Sequence, residues 1–326
     1  MKEVPFPSVE GIRCGHAQDP AGGTGCTVVL CAKGAVAGVD VRGGAPGTRE
    51  TDLLDPVNLV DRVHGIFLAG GSAFGLDAAG GIMKYLEEKG AGFDVKVAKV
   101  PIVTGAILFD LSVGSAHIRP DAKMGYEACL QAGKSTGPLE EGCVGAGTGA
   151  TVGKYLGTQY AMKGGLGTAA YQVGELVVGA VTAVNCLGDV MDPAGGRIIA
   201  GMLDPSGKKI IGTEEAILAA AEKGEKADFF PGNTAVGIVV TNAVLTKAQA
   251  KKIASMAHDG LARAIRPCHT MVDGDTIFAM ATGELEADFQ VLGVLAVRAV
   301  EQSVVNGVTK ARAMYGYPAA RDLMRG

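Results

Sequence analysis

The chain has 326 residues, of which 48% are hydrophobic and 20% charged; it carries ample material for a buried core and is not of disordered composition. A net charge of −4 with no run of Lys or Arg, and an aromatic content of 5% with no Trp, argue against nucleic acid as a partner, because neither phosphate neutralisation nor base stacking is provided for. Glycine is the outlier, with 50 residues and no Gly-X-Y period; collagen is excluded, and many tight turns and close backbone approaches are implied.

The N-terminus, Met1-Lys2-Glu3-Val4-Pro5, lacks the basic-then-apolar layout of a signal peptide. No stretch of eighteen apolar residues is free of both charge and glycine, so the chain reads as cytoplasmic, with no membrane partner. Two Val-rich runs bounded by glycine, Cys26 to Cys31 and Ala35 to Val41, predict strands, and Gly43 to Gly47 a turn. Leu76, Ala79, Met83 and Leu86 share one side of a helix over 72–89, with Ser72 as its N-cap and Gly90 as its stop. Val95 to Val100 and Ala106 to Leu111 read as strands, before a glycine-dense stretch at 142–153. Glu175 to Cys186 is a long Val/Ala run, a buried strand. Two Asp-Pro turns, at 192–195 and 204–207, flank a hairpin strand from Arg197 to Leu203. A helix over 214–223 ends at Gly224, and 224–233 is the best linker in the chain. Thr234 to Asn242 is a strand, Thr246-x-x-Gln249 a capping box opening a helix to about Ile265, Thr276 to Ala281 a strand, and 286–315 mostly helix. Strands and helices mix without strict alternation, which predicts an α+β fold rather than a doubly wound sheet.

Several tempting motifs fail. Gly145 to Lys154 is not a phosphate loop, because Thr148 stands where the first glycine is required and Tyr155 follows the lysine; Ala150 also breaks the dinucleotide pattern. Gly70 to Gly75 holds one residue too many for a serine nucleophile elbow. The histidines at 16, 64, 117, 258 and 269 show no metal spacing, and a structural role is the default for each. The seven cysteines, at 14, 26, 31, 129, 143, 186 and 268, form no Cys-x-x-Cys and read as buried reduced thiols. The informative place is Pro231-Gly232-Asn233-Thr234, where a turn delivers a hydroxyl to the start of an apolar strand. No histidine lies nearby in sequence to act as base. The residue's own α-amine, with an ordinary pKa near 8, is one solution, and it requires the chain to be cut before Thr234.

Five segments taken together resemble the DmpA-type L-aminopeptidase/D-amidase-esterase family of self-processing hydrolases. They are Leu68 to Leu76, Gly145 to Lys154, Ala183-Val-Asn-Cys-Leu-Gly-Asp-Val190, Asn233-Thr234, and Val272-Asp-Gly-Asp-Thr276, in the family's order and across most of the chain. The resemblance implies a four-layer αββα sandwich formed by residues 1–326 as one domain, cut into 1–233 and 234–326. It matches the scissile bond to Asn233–Thr234, the nucleophile to Thr234, an oxyanion donor to Asn185, an acidic pair facing the new amino terminus to Asp273 and Asp275, and a lysine near the nucleophile to Lys154. Aminopeptidase members pair a serine nucleophile with glutamates. Threonine and an Asp pair place this chain nearer the nylon-oligomer and pantetheine amidase branches.

The implied activity is amide hydrolysis through an acyl-enzyme, on a small amide or peptide substrate, with no cofactor, no metal and assembly into a homo-oligomer of four or more protomers. Two other readings stand beside it: an acyltransferase on a related scaffold, and a non-catalytic small-molecule-binding homologue. Under the hydrolase reading, Asn185→Ala is expected to lower turnover with little loss of folding.

Overall fold

The computed structural model describes residues 1–135, 137–224 and 232–323. Its principal strands are β1 (Arg13–Asp19), β2 (Thr24–Val41), β3 (Arg62–Ala69), β4 (Val103–Ile107), β5 (Gly165–Val173), β6 (Leu176–Asn185), β7 (Thr234–Ala243) and β8 (Thr276–Leu285). The helices used below are α1 (Ala78–Glu88), α2 (Ala122–Lys134), α3 (Thr213–Glu222), α4 (Lys247–Ala264) and α5 (Phe289–Lys310).

Hydrogen bonding runs in the order β5-β6-β7-β8-β2-β3-β4, with β1 on the N-terminal half of β2. The long strand β2 is the hinge of this path. Its Val36–Val41 end pairs with β8, its Cys26–Leu30 end pairs with β3, and the register slips between Leu30 and Ala35. A register slip of this kind bends a strand, so one continuous ladder folds over into two stacked sheets.

Alternation along the strands sorts the side chains into three apolar layers. Between the sheets, Val181, Val236, Ile238, Val240 and Phe278 face Val29, Ala35, Ile66, Leu68 and Ala106. On the outer side of the first sheet, Val178, Ala235, Val239 and Ala279 pack under α4 and α5. On the outer side of the second, Val28, Leu30, Phe67 and Ala69 pack under α1 and α2. The result is the four-layer αββα sandwich. Central strands buried on both faces read as near-continuous apolar runs, as Leu176–Val181 of β6 and Ala235–Val240 of β7 do. The abundant glycine lets the layers close. A Cβ on Gly38 of β2 would stand 2.2 Å from the backbone nitrogen of Lys251 in α4.

Helix α5 is long and apolar enough to cross a membrane by length and composition, but 61% of its most apolar stretch is buried inside the sandwich, as befits a core helix. Most elements read from the sequence are present, including the Thr246/Gln249 capping box and α3. Four readings need correction. Cys26–Cys31 and Ala35–Val41 belong to one strand. The segment 95–100 is not a core strand but the far side of a small hairpin: Phe93–Asp94 pairs with Lys99–Val100, Lys96 turns at φ 70°, and Val97 is 93% exposed. The strand read at Ala106–Leu111 runs instead over Val103–Ile107. Ser72 caps nothing: it sits at φ 55° inside a 3-10 turn that leads into α1. The linker read at 224–233 falls largely on 225–231, outside the described residues.

Candidate active site

Topology gathers the candidate residues at one edge of the first sheet. Strand β7 begins at Thr234. Its antiparallel neighbour β6 ends there, with Asn185 directly opposite Thr234. Its parallel neighbour β8 begins there, with Thr276 opposite Val236, so the preceding Asp273 and Asp275 lie beside the head of β7. Asn233 forms a parallel bridge with Asp273. Lys154 arrives from the glycine-dense loop, which is tied to the turn after β6 by Lys154 N–H donating to Leu187 O. Thr234, Asn185, Asp273, Asp275 and Lys154 are all buried.

The Thr234 hydroxyl donates to the carbonyl oxygen of Asn233, the residue before it. That same oxygen accepts the Gly274 N–H at 2.9 Å. A Cβ on Gly274 would lie 2.8 Å from Thr234 Oγ1, so only glycine lets this donor approach undisturbed. Asp275 Oδ1 accepts the Ala235 N–H at 2.7 Å. Asp273 Oδ2 accepts the Thr270 N–H at 3.0 Å and the Thr270 hydroxyl at 2.5 Å. The turn at 42–45 clamps this acidic loop: Arg42 and Gly43 N–H donate to Asp275 O, Gly44 N–H to Thr270 O, and Ala45 N–H to Asp273 O.

Asn185 is a four-way connector. Its Oδ1 accepts the Thr151 N–H at 2.9 Å, and its Nδ2 donates to Phe109 O at 3.0 Å and to Gly232 O at 3.2 Å. The Thr151 hydroxyl completes the set at 3.5 Å. Lys154 Nζ donates to Asn185 O and Gly232 O, both at 2.8 Å. The two side chains therefore hold the carbonyl two residues ahead of Thr234, while Gly274 holds the carbonyl immediately ahead of it.

Burial dominates the electrostatics. It lowers the Lys154 pKa to about 7, against the opposing pull of Cys186, Asp273 and Asp110, so this ammonium loses its proton far more readily than a surface lysine. Burial, then the charge of Asp275, raises Asp273 to about 6 against its hydrogen bonds from Thr270. Cys186 neighbours Asn185, but burial pushes its thiol well up, and it donates to Gly188 O. It is thus a protonated core thiol rather than a competing nucleophile. Among the described residues no three His, Cys, Asp or Glu side chains are grouped as metal ligands would be.

Two contributors escape a reading of the sequence. Gly274 acts through its backbone, which no residue type announces. His269 donates to Asp275 from both its N–H and its ring, although its isolated position in the sequence offered no spacing to point that way.

The four-layer arrangement is shared with solved structures. Among solved structures, the L-aminopeptidase D-Ala-esterase/amidase of Ochrobactrum anthropi, described as a variant of the Ntn hydrolase fold, aligns with a TM-score of 0.70 at 18% identity, over 96% of this chain and 89% of that one. The chain belongs to peptidase family S58, whose sequence model matches residues 7–321. It is 42% identical over 346 residues to an uncharacterized aminopeptidase of Mycobacterium bovis, covering 98% of this chain and 97% of the relative. It is 32% identical over 280 residues to the 6-aminohexanoate-oligomer endohydrolase of a Kocuria species, covering 85% of this chain and 74% of the relative.

Proposed function

We propose that this hydrolase cuts its own chain between Asn233 and Thr234, and that the freed Thr234 then cleaves amide bonds in small amide or peptide substrates. The observation that carries the reading is the Thr234 hydroxyl resting on the Asn233 carbonyl, whose oxygen is held by the Gly274 N–H. Attack of the hydroxyl oxygen on the Asn233 carbonyl carbon forms a C–O bond. The carbon–nitrogen bond breaks, the nitrogen takes a proton, and Thr234 is left as an amine whose side chain is esterified to Asn233. Water hydrolyses the ester and releases a carboxylate on Asn233. Gly274 N–H is the donor suited to the oxyanion of this step. Lys154 and Asn185 anchor the Gly232 carbonyl, which fixes the approach of the scissile bond.

In the processed enzyme the Thr234 amine accepts the proton of its own hydroxyl, and the hydroxyl oxygen attacks the substrate carbonyl to form an acyl-enzyme that water resolves. Departure of the Gly232 carbonyl with the new C-terminus frees Asn185 Nδ2 to serve the substrate oxyanion. Asp273 and Asp275 hold the amine in place. The residue types at 234, 273 and 275, and the endohydrolase relative, favour non-aminopeptidase amides such as short nylon oligomers as the first substrates to assay. Intact mass and N-terminal sequencing of the purified protein test the reading. Fragments 1–233 and 234–326, about 24 and 9 kDa by share of the 33.0 kDa total, with threonine leading the smaller, are the expected result. An active enzyme that is always a single chain refutes it, because an amide nitrogen cannot act as the base.

The acidic limb of the pH profile carries a second test. The working form needs a neutral amine, whose ordinary pKa is about 8, and an ionised Asp273. Burial and the Asp275 charge raise Asp273 in the uncut chain, and the new ammonium opposes them once the chain is cut, so Asp273 takes up its proton at lower pH than the amine. The logarithm of kcat/KM is expected to fall with unit slope below about pH 8 and with a steeper slope once Asp273 is protonated as well. Asp273→Asn is expected to lower the plateau and to keep the slope at one throughout. An acidic limb of the same shape in wild type and Asp273→Asn sinks the requirement for the Asp273 charge.

A further inference from the structure

We propose that His269 is the positioning residue for the nucleophile, acting through Asp275; this rests on the N-terminal-threonine reading above. The two oxygens of Asp275 divide their work. Oδ1 accepts the Ala235 N–H at 2.7 Å, one residue past the nucleophile. Oδ2 accepts the His269 N–H at 2.9 Å and faces His269 Nδ1 at 2.8 Å. An ionised carboxylate only accepts, so Nδ1 carries the hydrogen of the second bond. A carboxylate held by three N–H groups has one rotamer, so Oδ1 is aimed at the head of β7 and cannot swing away.

The histidine is itself fixed by its backbone and by a neighbouring ring. Its backbone adopts φ 59°, an uncommon conformation for a residue other than glycine, and one that persists only where surroundings enforce it. Its ring meets His258 edge-to-face, with centroids 4.8 Å apart. His258 is in turn anchored through Nε2 to Asp40 O at 2.9 Å. Burial lowers the His258 pKa to about 4, so the ring behind His269 is neutral. His269 Nε2 is buried without a hydrogen-bond partner among the described residues. A buried ring nitrogen left bare costs free energy, and a purely structural side chain at this position is better served by an apolar residue. Retaining imidazole here makes sense for its other nitrogen, the one that holds Asp275.

Three variants separate the roles, each measured for fragment formation, kcat, KM and thermal unfolding. His269→Gly accepts the positive φ and removes the ring donor. His269→Asn also accepts it and places an amide N–H near the position of Nδ1. Thr234→Ala is run beside them. We expect His269→Gly to lose about tenfold to a hundredfold in kcat, in line with the cost of small misplacements, with KM changed by less than about threefold, and His269→Asn to regain most of the loss. A His269→Gly enzyme with wild-type kcat overturns the proposal, as does a His269→Asn enzyme no better than His269→Gly. Should the glycine variant fail to fold, His269→Asn decides alone: turnover within about fivefold of wild type supports the role, and a larger loss overturns it. Activity surviving in Thr234→Ala would instead overturn the parent reading, so the two failures are distinguishable.

Discussion

Thr234→Ala is expected to purify as one intact chain of 33.0 kDa and to hydrolyse no amide. The substitution removes the hydroxyl and the γ-methyl, and under the proposed mechanism that hydroxyl oxygen is the attacking atom of both steps: it rests on the Asn233 carbonyl in the unbroken chain and is the proposed nucleophile after the cut. The fold should survive. Thr234 sits at the head of β7, and the strand's ladder and apolar flanks from Ala235 to Ala243 are untouched by the change. Thr234→Ser keeps the oxygen and is expected to process and turn over at altered rates, because losing the methyl frees χ1. The measurement is intact mass beside a hydrolysis assay on a panel of aminoacyl amides, D-amino acid amides, β-peptides and nylon oligomers. Fragments of wild-type size from Thr234→Ala would show that another group performs the cut. Once cut, the two pieces should remain together, since β7 and β8 of the second fragment pair with β6 and β2 of the first and β7 is buried on both faces; separating them breaks two ladders and exposes apolar strands.

The strongest signals in the sequence were those that local chemistry writes. Strands β6 and β7 are mostly apolar because both faces are covered, and Asn185 and Thr234 stand at the strand ends that meet. The helix α4 announces itself by its cap. Strand β5 is faint in the sequence because Gly165-Leu-Gly-Thr-Ala-Ala is built mostly of small residues. Its small residues are demanded by α5, since a Cβ on Gly167 would stand 2.1 Å from Ser303 O, a constraint set 136 residues away in the chain. The meeting of Asn185, Thr234 and the Asp pair could be inferred only through family likeness. It depends on β7 having an antiparallel neighbour on one side and a parallel one on the other, and nothing in the local pattern of either strand specifies its neighbours. His269 is the clearest case. A single histidine carries no spacing, and its positive φ and its bond to Asp275 exist only once the turn at 42–45 has clamped the acidic loop.

Asn185→Ala is expected to cut turnover by about a hundredfold or more, the scale seen when one oxyanion donor is removed, and, contrary to the reading of the sequence alone, to lower stability as well. Its amide oxygen accepts the buried Thr151 N–H, and its amide nitrogen serves Phe109 O and Gly232 O. Alanine leaves these groups facing a small void in a fully buried site. An unsatisfied buried backbone group costs about 1–3 kcal/mol, so a fall in Tm should accompany the loss of rate. Asn185→Asp keeps an oxygen for the Thr151 N–H, but its second oxygen, when ionised, faces the Phe109 and Gly232 carbonyls that Nδ2 serves in the wild type. Its Tm is therefore expected to fall as well, with turnover at least as low, because it offers no N–H to an oxyanion. Processing supplies the third reading. Gly274, not Asn185, holds the Asn233 carbonyl, so both variants should still cut at Thr234, more slowly as the Gly232 anchor is lost, and yield correctly trimmed fragments that turn substrate over poorly. Processed Asn185→Ala with full turnover would remove Asn185 from the substrate oxyanion site and leave it as a connector alone.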